Sequence, residues 1–276
     1  MLSSWTLDPV PTIGILVTAL LYVEGLRSVR LRGGPPFPSW RVGCFLVGLV
    51  VLFVALASPV DAYAGLLLSD HMVQHVLITM VAAPLLVLGT PVLLALRATR
   101  PQTRRRFVAP VLRSAPVRVL ASPVVGFAAF AVVLWGSHAP AIYEAAVRNR
   151  GVHALEHLAY LASALLFWRP VVGLDPGPGR LSHPARILYV FLAMPVTALL
   201  GLALSASGRV LYPTYVAGAS LLGTSAVSDQ RLAGTLMWIA GMFLMVPALG
   251  LVVLDWMRRD EQEAQRADAR RARQLS

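Results

Sequence analysis

Apolar residues in this chain fall into long, nearly unbroken blocks separated by short stretches bearing arginine, glycine and proline. A soluble helix instead shows a narrow stripe repeating every three or four residues. In a bilayer, a helix satisfies every backbone polar group within itself, and about 20 residues cross the hydrocarbon. The blocks predict seven spans, approximately Val10–Leu26, Arg41–Ala57, Met72–Leu96, Val119–Gly136, Val152–Trp168, Ala185–Ala206 and Leu232–Trp256. The expected fold is therefore all-α, a polytopic membrane protein whose residues 1–256 form one seven-transmembrane-helix bundle. Residues 257–276 form a charged tail expected to be a solvated helix, and no separate soluble domain fits. Pro84, Pro195 and Pro247 fall inside spans three, six and seven, where neighbouring helices can re-satisfy freed backbone groups and a kink can widen a cavity.

Composition agrees, with 57% of the 276 residues hydrophobic and only 13% charged. A net charge of +11 in a soluble protein would suggest nucleic acid, but here the basic residues flank apolar spans, and nucleic-acid binding is excluded. With the amino terminus outside, the inner segments hold 20 of the 24 arginines, and only Arg148, Arg150, Arg209 and Arg231 remain outside; there is no lysine. The positive-inside rule then sets the amino terminus outside and the carboxyl terminus in the cytoplasm. The Arg104, Arg105, Arg106 cluster reads as a topological anchor able to touch anionic headgroups. Gly173 to Pro184 reads as a cytoplasmic loop without recognisable chemistry. A cleaved leader opens with positive charge, whereas Met1 to Val10 carries only Asp8, so the first block is expected to remain as a span. Cys44 stands alone in an apolar run, which excludes intrachain disulfides and cysteine-pair metal sites; it is expected to be a small buried core residue.

Five of the six histidines share one side of this topology. His71 and His75 open span three, His138 closes span four, and His153 and His157 open span five; only His183 lies on the cytoplasmic side. The pairs His71/His75 and His153/His157 are each four residues apart, which puts two imidazoles on one helix face a turn apart. Imidazole suits copper, zinc and iron, and ionisable groups in a membrane normally face the bundle interior or a watery cavity. The five histidines are therefore candidate metal ligands. Asp70, Gln74 and Glu156 lie beside the pairs, and Asp229 and Gln230 precede span seven. A carboxylate there can ligate directly or orient an imidazole, which adds Asp229 to the candidate metal set. Met72, Met80, Met237 and Met242 offer thioethers at similar depth, favourable to Cu(I), though methionine in such helices is ordinarily packing. Trp135, Trp168, Trp238 and Trp256 read as interfacial anchors.

These residues carry a family resemblance. Asp70-His-Met-Val-Gln-His75 followed by Ala83-Pro-Leu-Leu-Val-Leu-Gly89, then His138-Ala-Pro-Ala-Ile-Tyr143, His153-Ala-Leu-Glu-His157 leading to Phe167-Trp-Arg-Pro170, and Asp229-Gln-Arg-Leu-Ala-Gly234 with Met237-Trp238, resemble the multi-span CtaG assembly factors associated with bacterial caa-type cytochrome c oxidases. The resemblance spans roughly residues 40 to 256. It implies a multi-pass protein of the bacterial plasma membrane that acts in maturation of a haem-copper oxidase, with an oxidase subunit as partner and copper as the metal handled. A different, single-span copper chaperone with a cysteine-bearing soluble domain shares the name CtaG; one cysteine and seven spans do not match it. Any copper here needs imidazole, carboxylate or thioether ligands.

The leading expectation is a non-enzymatic assembly factor that binds copper near the outer surface through His71, His75, His138, His153 and His157, with Asp229 in or behind the set. A second expectation is an intramembrane zinc hydrolase, three protein ligands leaving one position for an activated water and Glu156 or Asp229 acting as base. A third is a haem protein with axial histidines from facing helices, followed by transport of the metal itself.

Overall fold

The computed structural model describes residues 5–6 and 8–275. Residues 1–4 and 7, within the stretch read above for a leader, and Ser276 at the end of the tail lie outside the described residues.

Prolines and short polar residues set the helix starts. Asp8 precedes α1 (Pro9–Leu31) and accepts from the Val10 N–H, with proline in the first turn where its missing N–H costs nothing. α2 (Ser39–Ala57) ends at Ser58, whose hydroxyl caps α3 (Pro59–Ala64) by accepting from Val60 N–H. α4 (Leu68–Val76) runs directly into a π-helical turn, Leu77–Ala82, and then α5 (Ala83–Leu88). Pro84 has no N–H to offer the preceding turn and its ring crowds the carbonyl four residues back, and the helix widens just before it. The kink expected at Pro84 takes this form.

After α6 (Pro91–Ala98) the arginine-rich segment is broken into α7 (Pro101–Thr103), a π turn at Arg104–Val108, α8 (Ala109–Arg113) and α9 (Ala115–Leu120). α10 (Pro123–Ser137) meets α11 (Pro140–Arg148) at a bend of 78°. α12 (Arg150–Val172) is capped by Asn149, which accepts from Gly151 and Val152 N–H. α13 (His183–Ala206), α14 (Tyr215–Leu221) and α15 (Ala226–Leu275) complete the chain. No strand occurs among the described residues.

Five helical stretches are long and apolar enough to cross a membrane: Pro9–Leu31, Ser39–Ala57, Leu68–Ala98, His183–Ala206 and Ala226–Asp268; the bent pair α10 and α11 makes a sixth if counted as one broken span. α12 has the length, 23 residues, but His153, Glu156, His157 and Arg169 dilute its apolar character. The predicted fourth span, Val119–Gly136, starts later than expected, because α9 stops at Leu120 and Pro123 begins a new helix. The tail is helical as expected, continuous with the last span through residue 275, and exposed where its side chains are described. Cys44 is only partly buried.

The distribution of polarity is reversed relative to a soluble protein. Leu20, Leu21, Val50, Phe191, Phe243 and Leu251 are exposed, while His71, Gln74, His75, Thr79, Asp229 and Gln230 are buried. That pattern fits an apolar surround with polar groups facing the bundle interior. Helices α13 and α15 cross at Gly201 and Gly234, where a Cβ on Gly201 would lie 2.7 Å from the Gly234 carbonyl oxygen. Small residues at such a crossing let the backbones approach. Residues 173–182 form the expected loop between α12 and α13, but Asp175 in it is buried and accepts from Leu93 N–H at 2.8 Å, capping α6 across the bundle. Burial pushes its carboxyl above the usual carboxylate range.

Candidate metal centre

Helices α4 and α12 face one another with their histidine pairs in register. On α4 the His71 and His75 rings lie 4.3 Å apart, and on α12 the His153 and His157 rings lie 4.2 Å apart, as the four-residue spacing predicts. Across the gap His71 and His153 are 5.1 Å apart and His75 and His157 are 5.7 Å apart. Four imidazoles thus form a closed group between two helices. Glu156 joins it from α12: His71, His153 and Glu156 each offer a ligand atom, and these atoms lie within 4.8 Å of one another.

Hydrogen bonding in this group is incomplete in a specific way. Nine buried side-chain nitrogen or oxygen atoms have no hydrogen-bond partner among the described residues, and six of them are His71 Nε2, both ring nitrogens of His75, His153 Nε2 and both carboxylate oxygens of Glu156. Leaving a buried polar group unpaired costs about 1–3 kcal/mol, more for a charged one, and their concentration in one place makes a donor set that could hold a cation.

The remaining atoms of the group are held from outside. Tyr215 OH lies 3.2 Å from the Ala64 carbonyl oxygen, to which it donates, and 3.1 Å from His71 Nδ1. With its single proton committed to Ala64, Tyr215 accepts from His71 Nδ1–H, which leaves His71 Nε2 with a lone pair directed at the group. Tyr143 OH, 3.0 Å from Tyr215 OH, completes that network. On the other side His157 Nε2 lies 3.2 Å from Gln74 Oε1, while the Gln74 amide donates to the Ala55 carbonyl and to Asp61, each at 2.8 Å. Asp61 in turn accepts from Thr6 Oγ1 at 2.6 Å.

The structure therefore brings His71, His75, His153 and His157 together. His138, at the bend between α10 and α11, looks toward the other side of α4: its Nδ1 lies 2.7 Å from the Leu134 carbonyl oxygen and its Nε2 lies 3.4 Å from Met72 Sδ. Asp229 stands behind the group. It accepts from Leu68 N–H at 2.7 Å, Ser69 N–H at 3.2 Å and Ser69 Oγ at 2.5 Å. It thereby caps α4, the helix that carries His71 and His75, and α4 has no capping side chain of its own because Leu67 holds that position. In the sequence Glu156 was legible as a carboxylate beside a histidine pair and as a candidate base, not as a member of the metal set. Its place within the group depends on how α12 packs against α4, and the contributions of Tyr143 and Tyr215 on how α11 and α14 fold back over it. His183 lies apart, 3.0 Å from Asp255.

The model for the cytochrome c oxidase caa3 assembly factor family matches residues 20–259. Uncharacterized proteins of Mycobacterium bovis and Mycobacterium tuberculosis are each 30% identical over 278 residues, covering 97% of this chain and 42% of theirs. One from Mycobacterium leprae is 28% identical over 271 residues, covering 96% of this chain and 41% of its own. The chain spans about two fifths of the length of these curated relatives. No solved structure matches it.

Proposed function

The chain belongs to the cytochrome c oxidase caa3 assembly factor family, and from that premise we propose that it is a non-enzymatic assembly factor that binds copper at the facing histidine pairs and hands it to a haem-copper oxidase subunit. The observation that carries this reading is the set of six unpartnered buried donor atoms on His71, His75, His153 and Glu156. Imidazole and carboxylate are ligands that copper accepts, and the outer contacts through Tyr215 and Gln74 hold ring orientation as metal-binding histidines require. Copper is the cargo. The protein supplies neutral imidazole lone pairs and one carboxylate to receive it.

Seven spans complete the proposed topology, with α12 crossing as one of them, the amino terminus outside and the carboxyl terminus in the cytoplasm of a bacterial cell. Twenty arginines on the inner segments support it. In that orientation the histidine pairs lie near the outer face, where an oxidase domain exposed on the same side can meet them. The test is genetic and biochemical: cells lacking this protein are complemented with the natural chain or with His71→Ala, His153→Ala, and copper in the purified oxidase is measured. Restoration by the natural chain alone is expected; equal restoration by the variant removes the histidine pairs from the function.

The trio of His71, His153 and Glu156 favours one second reading. Two imidazoles and a carboxylate can hold zinc with one position left for a water, giving the intramembrane hydrolase considered above. Stoichiometric zinc that survives purification without added metal, together with turnover of a lipid amide or ester, distinguishes it.

A further inference from the structure

His138 and Met72 face each other through atoms that cannot bond to one another in their ordinary states. The Leu134 carbonyl only accepts, so His138 Nδ1, 2.7 Å away, carries the proton, and in the neutral ring Nε2 then bears a lone pair. That lone pair points at Met72 Sδ, 3.4 Å away, which has no hydrogen to give. A second proton on the ring would instead put a charge with no carboxylate partner into a residue only 5% exposed, which is expensive inside a bundle. Two soft donors looking at each other are reconciled by a cation between or beside them.

The surroundings supply the rest of such a site. Met72, Met80, Met237, His75 and His138 line a cavity of about 20 Å³ enclosed by α4, its π turn, α10, α12, α13 and α15, room for one water-sized particle. Met72 is 1% exposed, Met80 7% and Met237 6%, and His75, also lining the cavity, has neither ring nitrogen partnered among the described residues. Thioethers select Cu(I) over divalent ions.

We propose that Met72, Met80, Met237 and His138 form a second, thioether-rich Cu(I) site beneath the histidine pairs, and that His75 joins the two. This deepens, and rests on, the copper-binding reading above. His75 belongs to both sites: its ring lies 4.3 Å from that of His71 and it lines the methionine cavity. Transfer is ligand exchange. A bond from the ion to His71 or His153 breaks as one to His75 forms, and the remaining bond to His71 or His153 breaks as one to Met72 or His138 forms; the ion stays Cu(I), and neither electron nor proton moves. The π turn that follows His75 takes Thr79 and Met80 out of regular helical register, which turns Met80 toward the cavity that Met72 lines from eight residues earlier.

The full chain in detergent is loaded anaerobically with Cu(I), copper per chain is counted by mass spectrometry, and the neighbours of copper are identified by X-ray absorption. Two coppers per natural chain are expected, with sulfur among the neighbours. Met72→Leu, Met237→Leu, which conserves volume, is expected to hold one copper with nitrogen and oxygen neighbours only; His71→Ala, His153→Ala keeps the sulfur-bound copper. Nitrogen and oxygen neighbours alone in the natural chain overturn the second site while leaving copper at the histidine pairs, and this outcome needs no variant to fold. A leucine variant with unchanged copper and unchanged sulfur overturns it equally. Absence of all copper defeats both readings together.

Discussion

Asp229 accepts a hydrogen bond from the Leu68 N–H at 2.7 Å, across 161 positions of sequence. One carboxylate on α15 thereby caps the helix that presents His71 and His75, so the first turn of α15 fixes the start of α4.

This relationship separates a cap from a ligand. Asp229→Asn keeps one acceptor oxygen, enough for either the Leu68 or the Ser69 N–H, and is expected to leave metal stoichiometry unchanged. Asp229→Ala removes it; loss of a cap costs about 0.5–2 kcal/mol, so a lower unfolding midpoint in detergent is expected, with weaker metal binding because α4 loses its anchor. If the asparagine variant alone abolishes metal binding at unchanged stability, Asp229 is a ligand.

Tyr215→Phe is expected to weaken metal binding by about 10–100-fold, the usual consequence of removing an outer contact to a metal-binding histidine, because His71 Nδ1 then loses the tyrosine oxygen 3.1 Å away. Tyr143→Phe, one hydrogen bond further out, should have the smaller effect. Competition against a chelator of known affinity measures both; equal affinities for all three proteins contradict the tautomer assignment at His71.

Gly201→Ala or Gly234→Ala drives a methyl into the facing backbone of α13 or α15. Overpacking of this kind costs about 1–3 kcal/mol. Each variant should melt earlier in detergent, and Gly136→Ala, where an added Cβ meets nothing within 4 Å, should not.

Asp175 gives a pH dependence. Burial raises its carboxyl pKa above the value it has in the unfolded chain, so its folded form favours the proton: its stabilising contribution is full below the unfolded pKa and is lost as pH rises through the folded one. At neutral pH the ionised carboxylate is therefore a burden. Asp175→Asn, which keeps an acceptor for Leu93 N–H, is expected to raise the unfolding midpoint at neutral pH, the gain shrinking as pH falls through the folded pKa. Melting curves at several pH values decide it, and a gain that grows toward acid contradicts the sign.

Much of this was legible in the sequence because its signals are local. The long apolar blocks gave the all-helical membrane class, and spacing of four placed His71 over His75 and His153 over His157 on single faces. The family resemblance read from roughly residue 40 to 256 extends over residues 20–259. What escaped was set by distant partners. Asp229, expected in or behind the metal set, stayed ambiguous in the sequence because the groups that donate to it, on Leu68 and Ser69, lie 161 and 160 positions away. Asp175 sat in a loop that offered no chemistry, yet caps α6 because Thr90, in a left-handed conformation, gives that helix no side-chain cap. The bend after His138 turned its ring toward Met72 rather than into the four-imidazole group, an outcome that depends on the fold-back of α11 and not on spacing.

The most direct measurement is the metal content of the full chain purified in detergent, before and after Cu(I) loading, alongside His153→Ala, Glu156→Gln, which removes two donors from α12 and leaves the α4 cap and the methionines intact. Copper bound by the natural chain, with about one equivalent lost in the variant, is the expected result. Equal copper in both proteins, or stoichiometric zinc and no copper in the natural chain, contradicts a copper site at the facing histidine pairs.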